Sequence, residues 1–236
     1  MARTLGTRRA LIREYTNIFK QMRFEQLLWR TLGNCYQDTS GLILCGVGDA
    51  IAFIADKTGN GWHATQGTGT NRYILRRATL GTYYAEMDST NDGMVTSYTP
   101  ASGTQVLCLA SADEQTAFAS KRIVNSGTNN SLICPNRNAL VVFTGGVTCT
   151  NNTGSTSACA VVLWKANSNN WETRINNTAY AGPNNNDFGS ICFGASGVYA
   201  EPCAGRLFSF AAGTRTIPTE RQLGELNKAL RKMAGL

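Results

Sequence analysis

The sequence predicts a mainly β protein: an antiparallel sandwich or barrel with a helix at each end. Three observations lead there. From about residue 35 to 215, short runs rich in Val, Ile, Phe and Thr recur. Gly-, Asn- and Ser-rich clusters separate these runs, and many short strands with polar turns make a sandwich or barrel. Helical periodicity is confined to the two terminal segments.

The first predicted element is a helix over residues 8–31. Leu11, Ile12, Tyr15, Ile18, Phe19 and Met22 fall at three- and four-residue steps, and the face then shifts to Leu27 and Leu28. Arg8, Arg9, Arg13, Lys20 and Arg23 lie mostly between them, and Gly33-Asn34 is a stop signal. The predicted strands are 50–55, 105–110, 139–144, 159–165, 171–176, 188–194 and 205–211. Turns fall at Asn125-Ser126-Gly127, Asn151-Asn152-Thr153-Gly154 and Gly182-Pro183-Asn184-Asn185-Asn186. No repeat of fixed period is present. A closing helix is expected over about 218–234, because Thr219 and Gln222 form a capping box behind Pro218. Leu223, Leu226, Leu230 and Met233 make its apolar stripe.

At 236 residues and 42% hydrophobic content, the chain suits one sizeable core. No apolar run approaches the roughly 18 residues that span a bilayer, so membrane insertion is not expected. Met1-Ala2-Arg3-Thr4 leads into a charged segment without the pattern of a secretory signal, which points to a protein made in a cytoplasm. The net charge of +7 is uneven: residues 1–30 carry +5, 206–236 carry +4, and the body between carries −2. Charge confined to helical ends, with no aromatic-interleaved basic stripe, argues against nucleic acid as a partner.

Eight cysteines are many for a cytoplasmic chain, and with His63 as the only histidine and no Cys-x-x-Cys pair a zinc site has no support. The spacings pair Cys149 with Cys159, Cys192 with Cys203, and Cys35 with Cys45 as candidate disulfides across hairpins or loops. Buried free thiols are the alternative.

Tyr36-Gln37-Asp38-Thr39-Ser40-Gly41, then Val47-Gly48-Asp49, then Asp56-Lys57-Thr58-Gly59-Asn60-Gly61-Trp62-His63-Ala64-Thr65-Gln66 form a distinctive string. It resembles a string, FQD-x-x-G … VGDPVG … DKSGNGNHATQ, of phage and prophage structural proteins with a concanavalin A-like (laminin-G-like) jelly-roll domain. Met87-Asp88-Ser89-Thr90-Asn91-Asp92-Gly93-Met94 is similar to that family's FDG-x-DDGM segment, and Gly205-Arg206-Leu207-Phe208 with its closing helix to the family's ending. The likeness spans about 36–236. Trp62 departs from the usual small polar residue, and no Pro follows Gly48-Asp49. The resemblance implies a jelly-roll β-sandwich over 35–236 and a virion protein assembled in a host bacterial cytoplasm: a capsid decoration, head-fibre or tail-fibre component. Its partners would be other copies of itself and other virion proteins.

The residues have readings of their own. Asp56 with the Gly59-Asn60-Gly61 turn makes a side-chain-bonded reversal, and His63 beside it reads as structural rather than as a base. Folds of this class also house glycoside hydrolases whose active strand carries Glu-x-Asp-x-x-Glu. Glu86-Met87-Asp88 opens that pattern, but Asn91 stands where the last acid belongs, so neither a depolymerase nor any other enzyme is expected. Asp38, Asp49, Asp56 and Asp92 are the loop acids a calcium ion would use, although turn stabilisation is the commoner use of such residues. Trp171, Tyr180, Asn184, Asn185, Asn186 and Asp187 form the richest candidate for binding host-surface glycans, as in a lectin-like module. Leu11, Tyr15, Ile18, Phe19 and Met22 are the candidate oligomer or virion interface. Their helix, ahead of the family resemblance, would leave several hundred Å² of apolar surface uncovered if unpaired. Residues 1–34 are accordingly expected to anchor or oligomerise a separately folded 35–236 body.

Overall fold

A computed structural model describes residues 18–29, 33–78, 81–88, 90–113, 123–126, 132–136, 139–144, 147–151, 158–165, 171–181, 187–194, 204–214 and 217–234. Among these, a helical turn α1 (18–21) precedes seventeen strands. They are β1 Gln26–Trp29, β2 Cys35–Tyr36, β3 Phe53–Ile54, β4 Ala64–Thr65, β5 Ile74–Arg77, β6 Tyr83–Asp88, β7 Gly93–Thr96, β8 Gln105–Asp113 and β9 Val124–Ser126. There follow β10 Leu132–Asn136, β11 Ala139–Thr144, β12 Val147–Asn151, β13 Ala158–Lys165, β14 Glu172–Ile175, β15 Thr178–Ala181, β16 Ile191–Gly194 and β17 Ala204–Gly213. Helix α2, Glu220–Ala234, closes the chain.

The strands form two antiparallel sheets, and the predicted sandwich is the one observed. The first runs β15-β14-β13-β8-β17-β6-β5 with β1 also on β17; the second runs β12-β11-β10-β9-β16-β7-β4-β3-β2. Between them lies the main core, in which Phe193 of β16 meets Phe210 of β17 edge-on at 5.1 Å.

The first sheet is covered on both faces, and its sequence shows why. On β8, Leu107 and Leu109 point into the main core, while Val106, Cys108, Ala110 and Ala112 point the other way. On β13, Val161 and Leu163 face in, and Ala160, Val162 and Trp164 face out. The outward set is rich in small residues, which lets α2 lie close against the sheet. Leu223, Leu226, Leu230 and Met233 of α2 are buried there. The capping box is formed: Thr219 N–H donates to Gln222 Oε1 at 2.9 Å, and Gln222 N–H to Thr219 Oγ1 at 3.3 Å.

β17 organises this sheet. One edge pairs with β8 throughout; the other pairs with β6 through residues 204–207 and with β1 through 209–212. A bulge between Leu207 and Ser209 breaks the two-residue alternation. It lets Leu207, Phe210 and Ala212 all face the main core, while Phe208 and Ala211 face α2.

Two expectations for the N-terminus are corrected here. Residues 26–29 form a strand, not the end of a helix. Arg23, with φ 50°, turns the chain out of α1, and β1 then pairs antiparallel with β17. Leu27 and Leu28 are both buried because β1 belongs to a doubly covered sheet, one leucine entering each cluster. Ile18, Phe19 and Met22 do not await a partner chain. They are 4%, 3% and 3% exposed, packed beneath α2 and against the outward face of the first sheet. Leu11 and Tyr15 lie outside the described residues. The described part of 1–34 is thus joined to the body by backbone pairing and by a shared core.

Cys35 and Cys45, one of the candidate pairs, are not bridged; both are buried thiols, the alternative reading. Their sulfurs face different acceptors, Asn34 Oδ1 for Cys35 and Ala50 O for Cys45. Burial pushes the Cys45 thiol up to about 12, and Cys35 nearby adds to the shift. Cys192 is also a free thiol, while Cys203 lies outside the described residues. Cys149 and Cys159 sit on strands of different sheets, where they pair with Val142 and Ser111 respectively; their side chains are outside the described set.

Deleting residues 1–34 should abolish the cooperative thermal transition followed by circular dichroism, because it strips β1 from β17. A truncated monomer that melts cooperatively near the full-length temperature would contradict the placement of β1. Leu226→Ala, at a fully buried position on the inner face of α2, should cost about 2–5 kcal/mol in urea unfolding.

Candidate functional site

The distinctive string over 36–66 folds into two adjacent loops, and each aspartate in them works on the backbone. In the first loop, Asp38 Oδ1 accepts the N–H of Ile43 at 2.7 Å and of Leu42 at 3.0 Å, while Oδ2 accepts that of Ser40 at 3.1 Å. The Ile43 N–H, aided by those of Leu42 and Ser40, holds the Asp38 carboxyl below the usual carboxylate range. Asp49 Oδ2 accepts the N–H of Gly46 at 2.7 Å and Gln37 Nε2 at 2.9 Å. Arg72 ties the loop down through Gln37 O. Gly41 takes a left-handed φ of 71° against the Phe53 ring, where a Cβ would come within 3.3 Å of the ring.

This framework presents apolar side chains to solvent. Leu42 is 82% exposed, Ile43 57%, Leu44 51% and Val47 54%. Single exposed leucines are ordinary on a protein surface. Four exposed aliphatic side chains within six residues, on a loop braced by two carboxylates, concentrate apolar surface at one place on the chain.

The second loop is a clasp. Asp56 Oδ1 accepts the N–H of Leu27 on β1 at 2.9 Å and that of Thr58 at 3.0 Å; its Oδ2 accepts the Trp62 N–H at 3.3 Å. Asn60 Nδ2 donates to Glu25 O at 2.8 Å, and Lys57 N–H to Leu27 O at 2.9 Å. Gln26 Nε2 donates to Trp62 O. His63 Nδ1 accepts the N–H of Asp56 at 3.0 Å, and its ring lies 4.6 Å from that of Phe53. The histidine closes the turn, as its surroundings in the sequence predict.

The acids of β6 are engaged with protein partners. Glu86 pairs with Arg76 at 2.7 Å. Asp88 Oδ1 caps Thr90 N–H at 2.8 Å, and Asp92 Oδ2 accepts the N–H of Asp88 at 3.0 Å. Asp92 is buried. Burial pushes its carboxyl up to about 6; the Asp88 N–H opposes the shift, and the charges of Asp88 and Glu86 add to it. Gly194 makes this packing feasible, since a Cβ there would meet the Asp92 carbonyl oxygen at 2.2 Å. Of the four loop acids considered for calcium, Asp38, Asp49 and Asp56 are spent on turn N–H groups and Asp92 on Asp88. Among the described residues no group of three or more His, Cys, Asp or Glu side chains converges as a metal site.

The glycan-binding candidate is dismantled at both of its described members. Trp171 is 1% exposed and meets Phe188 edge-on at 5.2 Å, so its faces are unavailable for stacking on a sugar. Asp187 pairs with the buried Lys165 and accepts the N–H of Gly103. The side chain of Tyr180, and residues Asn184, Asn185 and Asn186, lie outside the described set.

No family model and no curated protein matches the chain. Solved structures do. An arabinofuranosidase complexed with arabinofuranosyl-α-1,2-xylobiose aligns at TM-score 0.61 and 12% identity, over 92% of this chain and 64% of that one. The ligand-binding domain of botulinum neurotoxin serotype D, in complex with N-acetylneuraminic acid, aligns at 0.59 and 10%, over 89% and 52%. Domain 4 of AbnA, an extracellular arabinanase of Geobacillus stearothermophilus in complex with arabinotriose, aligns at 0.50 and 14%, over 76% and 92%. The likeness is one of fold. This chain spans less than two thirds of the first two of these proteins.

The raised Asp92 carboxyl has a consequence for stability. Between its ordinary value of 3.8 and about 6, the folded state holds a proton that the unfolded state releases. Stability should therefore fall as pH rises through that window and level off above it. Asp92→Asn keeps an acceptor for the Asp88 N–H and should remove this slope, raising the urea midpoint at neutral pH relative to wild type. Parallel midpoint-against-pH curves for the two proteins would contradict the assignment.

Proposed function

We propose that this chain is a non-catalytic bacteriophage virion structural protein, a capsid-decoration, head-fibre or tail-fibre component. It would assemble in the host cytoplasm and dock onto a neighbouring virion protein through the loop 41–47. The observation that carries this reading is the exposure of Leu42, Ile43, Leu44 and Val47 together on one braced loop. Contiguous exposed apolar surface marks an interaction site, and a loop pre-ordered by Asp38 and Asp49 loses little entropy on binding. Fully burying an aliphatic side chain is worth roughly 1.5–3 kcal/mol, so even partial coverage of four supports assembly. The same string of residues carries the resemblance to virion proteins. The engagement of Glu86, Asp88 and Asp92 with protein partners supports a non-catalytic role.

A second reading, a receptor-binding module for surface glycans, is favoured by the fold likeness to proteins solved with saccharides. The sugar site would then lie away from Trp171.

Leu42→Asp combined with Ile43→Asp should leave the melting temperature within a degree or two of wild type, since both side chains are exposed. It should remove the protein from particles assembled in its host, measured by mass spectrometry of purified virions. Normal incorporation of the double variant would overturn docking through this loop, and absence of the wild-type chain from particles would overturn the virion reading.

A further inference from the structure

A second surface stands apart from these loops and rests on no part of the docking proposal. Gly224, Asn227, Lys228 and Arg231 fall at steps of three and four on α2, so they share one face of the helix. Together with Lys232 and Asn177 they line a notch of about 430 Å³ between α2 and the β14–β15 turn. That volume lies within the range of small-ligand sites, roughly 300–1,000 Å³.

Asn227 is the informative residue. It is 1% exposed, and neither its Nδ2 nor its Oδ1 has a hydrogen-bond partner among the described residues. Leaving a buried carboxamide unpaired is costly, on the order of 1–3 kcal/mol, and such a group calls for a reason. Above the amide, Lys228 and Arg231 are exposed and form no ion pair among the described residues. The nearby acids of α2 are engaged: Glu220 with Arg174 on β14, and Glu225 with Arg221. The lining carries the cations Lys228, Arg231 and Lys232 and, among the described residues, no acid. Gly224 leaves it open, since a Cβ there would meet nothing within 4 Å. On the far side Asn176 and Asn177 form a two-residue hairpin turn with φ of 49° and 75°. Asn176 Oδ1 is used on the N–H of Ala160, and Asn177 is the member of the pair that borders the notch.

We propose that this notch binds an acidic saccharide. The sugar carboxylate sits against Lys228 and Arg231. A ring hydroxyl reaches the Asn227 carboxamide once those flexible side chains swing aside. A carboxamide offers both donor and acceptor, which matches a hydroxyl, while the cations select the anion. One compact notch suits a single sugar unit; an extended nucleic-acid backbone would call for a longer basic track.

The test is an NMR titration of the full chain with glucuronic acid and N-acetylneuraminic acid, watching the Asn227 side-chain amide. Both acids should shift that resonance, and glucose at the same concentration should not. Lys228→Glu with Arg231→Glu, at exposed positions, should weaken binding roughly tenfold or more, as expected for charge-assisted hydrogen bonds. Asn227→Leu should abolish binding without lowering the melting temperature. The Leu42→Asp, Ile43→Asp protein should bind like wild type, so failure here and failure of loop docking are distinguishable. An unmoved Asn227 amide overturns the proposal, as does inorganic phosphate binding as tightly as the sugar acids. A single-stranded oligonucleotide that displaces the sugar acid and binds more tightly would also overturn it, making the face one for nucleic acid. Should Asn227→Leu fail to fold, the doubly charge-reversed variant decides the question.

Discussion

The fold depends on the two-sided pairing of β17. This one strand receives β8 along one edge and divides the other between β6 and β1. Every strand of the first sheet, and through it α2, takes its position from that spine. The bulge at Leu207–Ser209 matters as much as the hydrogen bonds. A strict two-residue alternation would send Phe210 toward the helix layer and Ala211 into the main core, and a register error of one residue reverses every side chain beyond it. With the bulge, Phe210 reaches Phe193 across the sandwich, and Ala211 leaves room for α2.

The structural assignment of the sequence motifs follows from this spine. β1 is short and lies at the junction where β6 ends, so four backbone pairs alone hold it weakly. The loop beginning at Asp56 supplies the rest by binding backbone groups of Glu25 and Leu27 and the side chain of Gln26. Glu25 adds its own carboxylate contacts, to Tyr98 and Thr214. A string that stands out in the sequence as a motif is thus first a fastening for the N-terminal strand. Its neighbour, the loop carrying Asp38 and Asp49, is fastened just as firmly but holds its apolar side chains outward.

Much of the sandwich is legible in the sequence, because β8, β11, β13 and β17 are long apolar runs bounded by turn residues, and α2 announces itself through Thr219 and Gln222. The N-terminus misleads for a definable reason. Leu27 and Leu28 are adjacent and both buried, which in a singly covered strand is forbidden and in a helix is routine; here the sheet is covered twice. Trp171 misleads because an aromatic next to an Asn-rich stretch has the composition of a binding loop, and only its long-range contact with Phe188 removes it from the surface. The exposure of Leu42-Ile43-Leu44 is not legible in the sequence, because nothing local shows that Asp38 captures the N–H groups of Leu42 and Ile43 while the side chains stay outside. Asn227 was invisible for a similar reason, since a polar residue beside a leucine stripe reads as solvated until its burial is known.

The division of β17 between β6 and β1 also bears on how the chain acquires its structure. β1 and the strand it needs, residues 209–212, lie about 180 residues apart in the chain. Until residues 209–212 are in place, the leucines of β1 have no sheet edge to join. The first sheet can close only once residues 209–212 are present, by a contact of long sequence separation. Such closure is slow compared with local pairing, and it leaves an interval in which an uncovered strand edge is open to other chains.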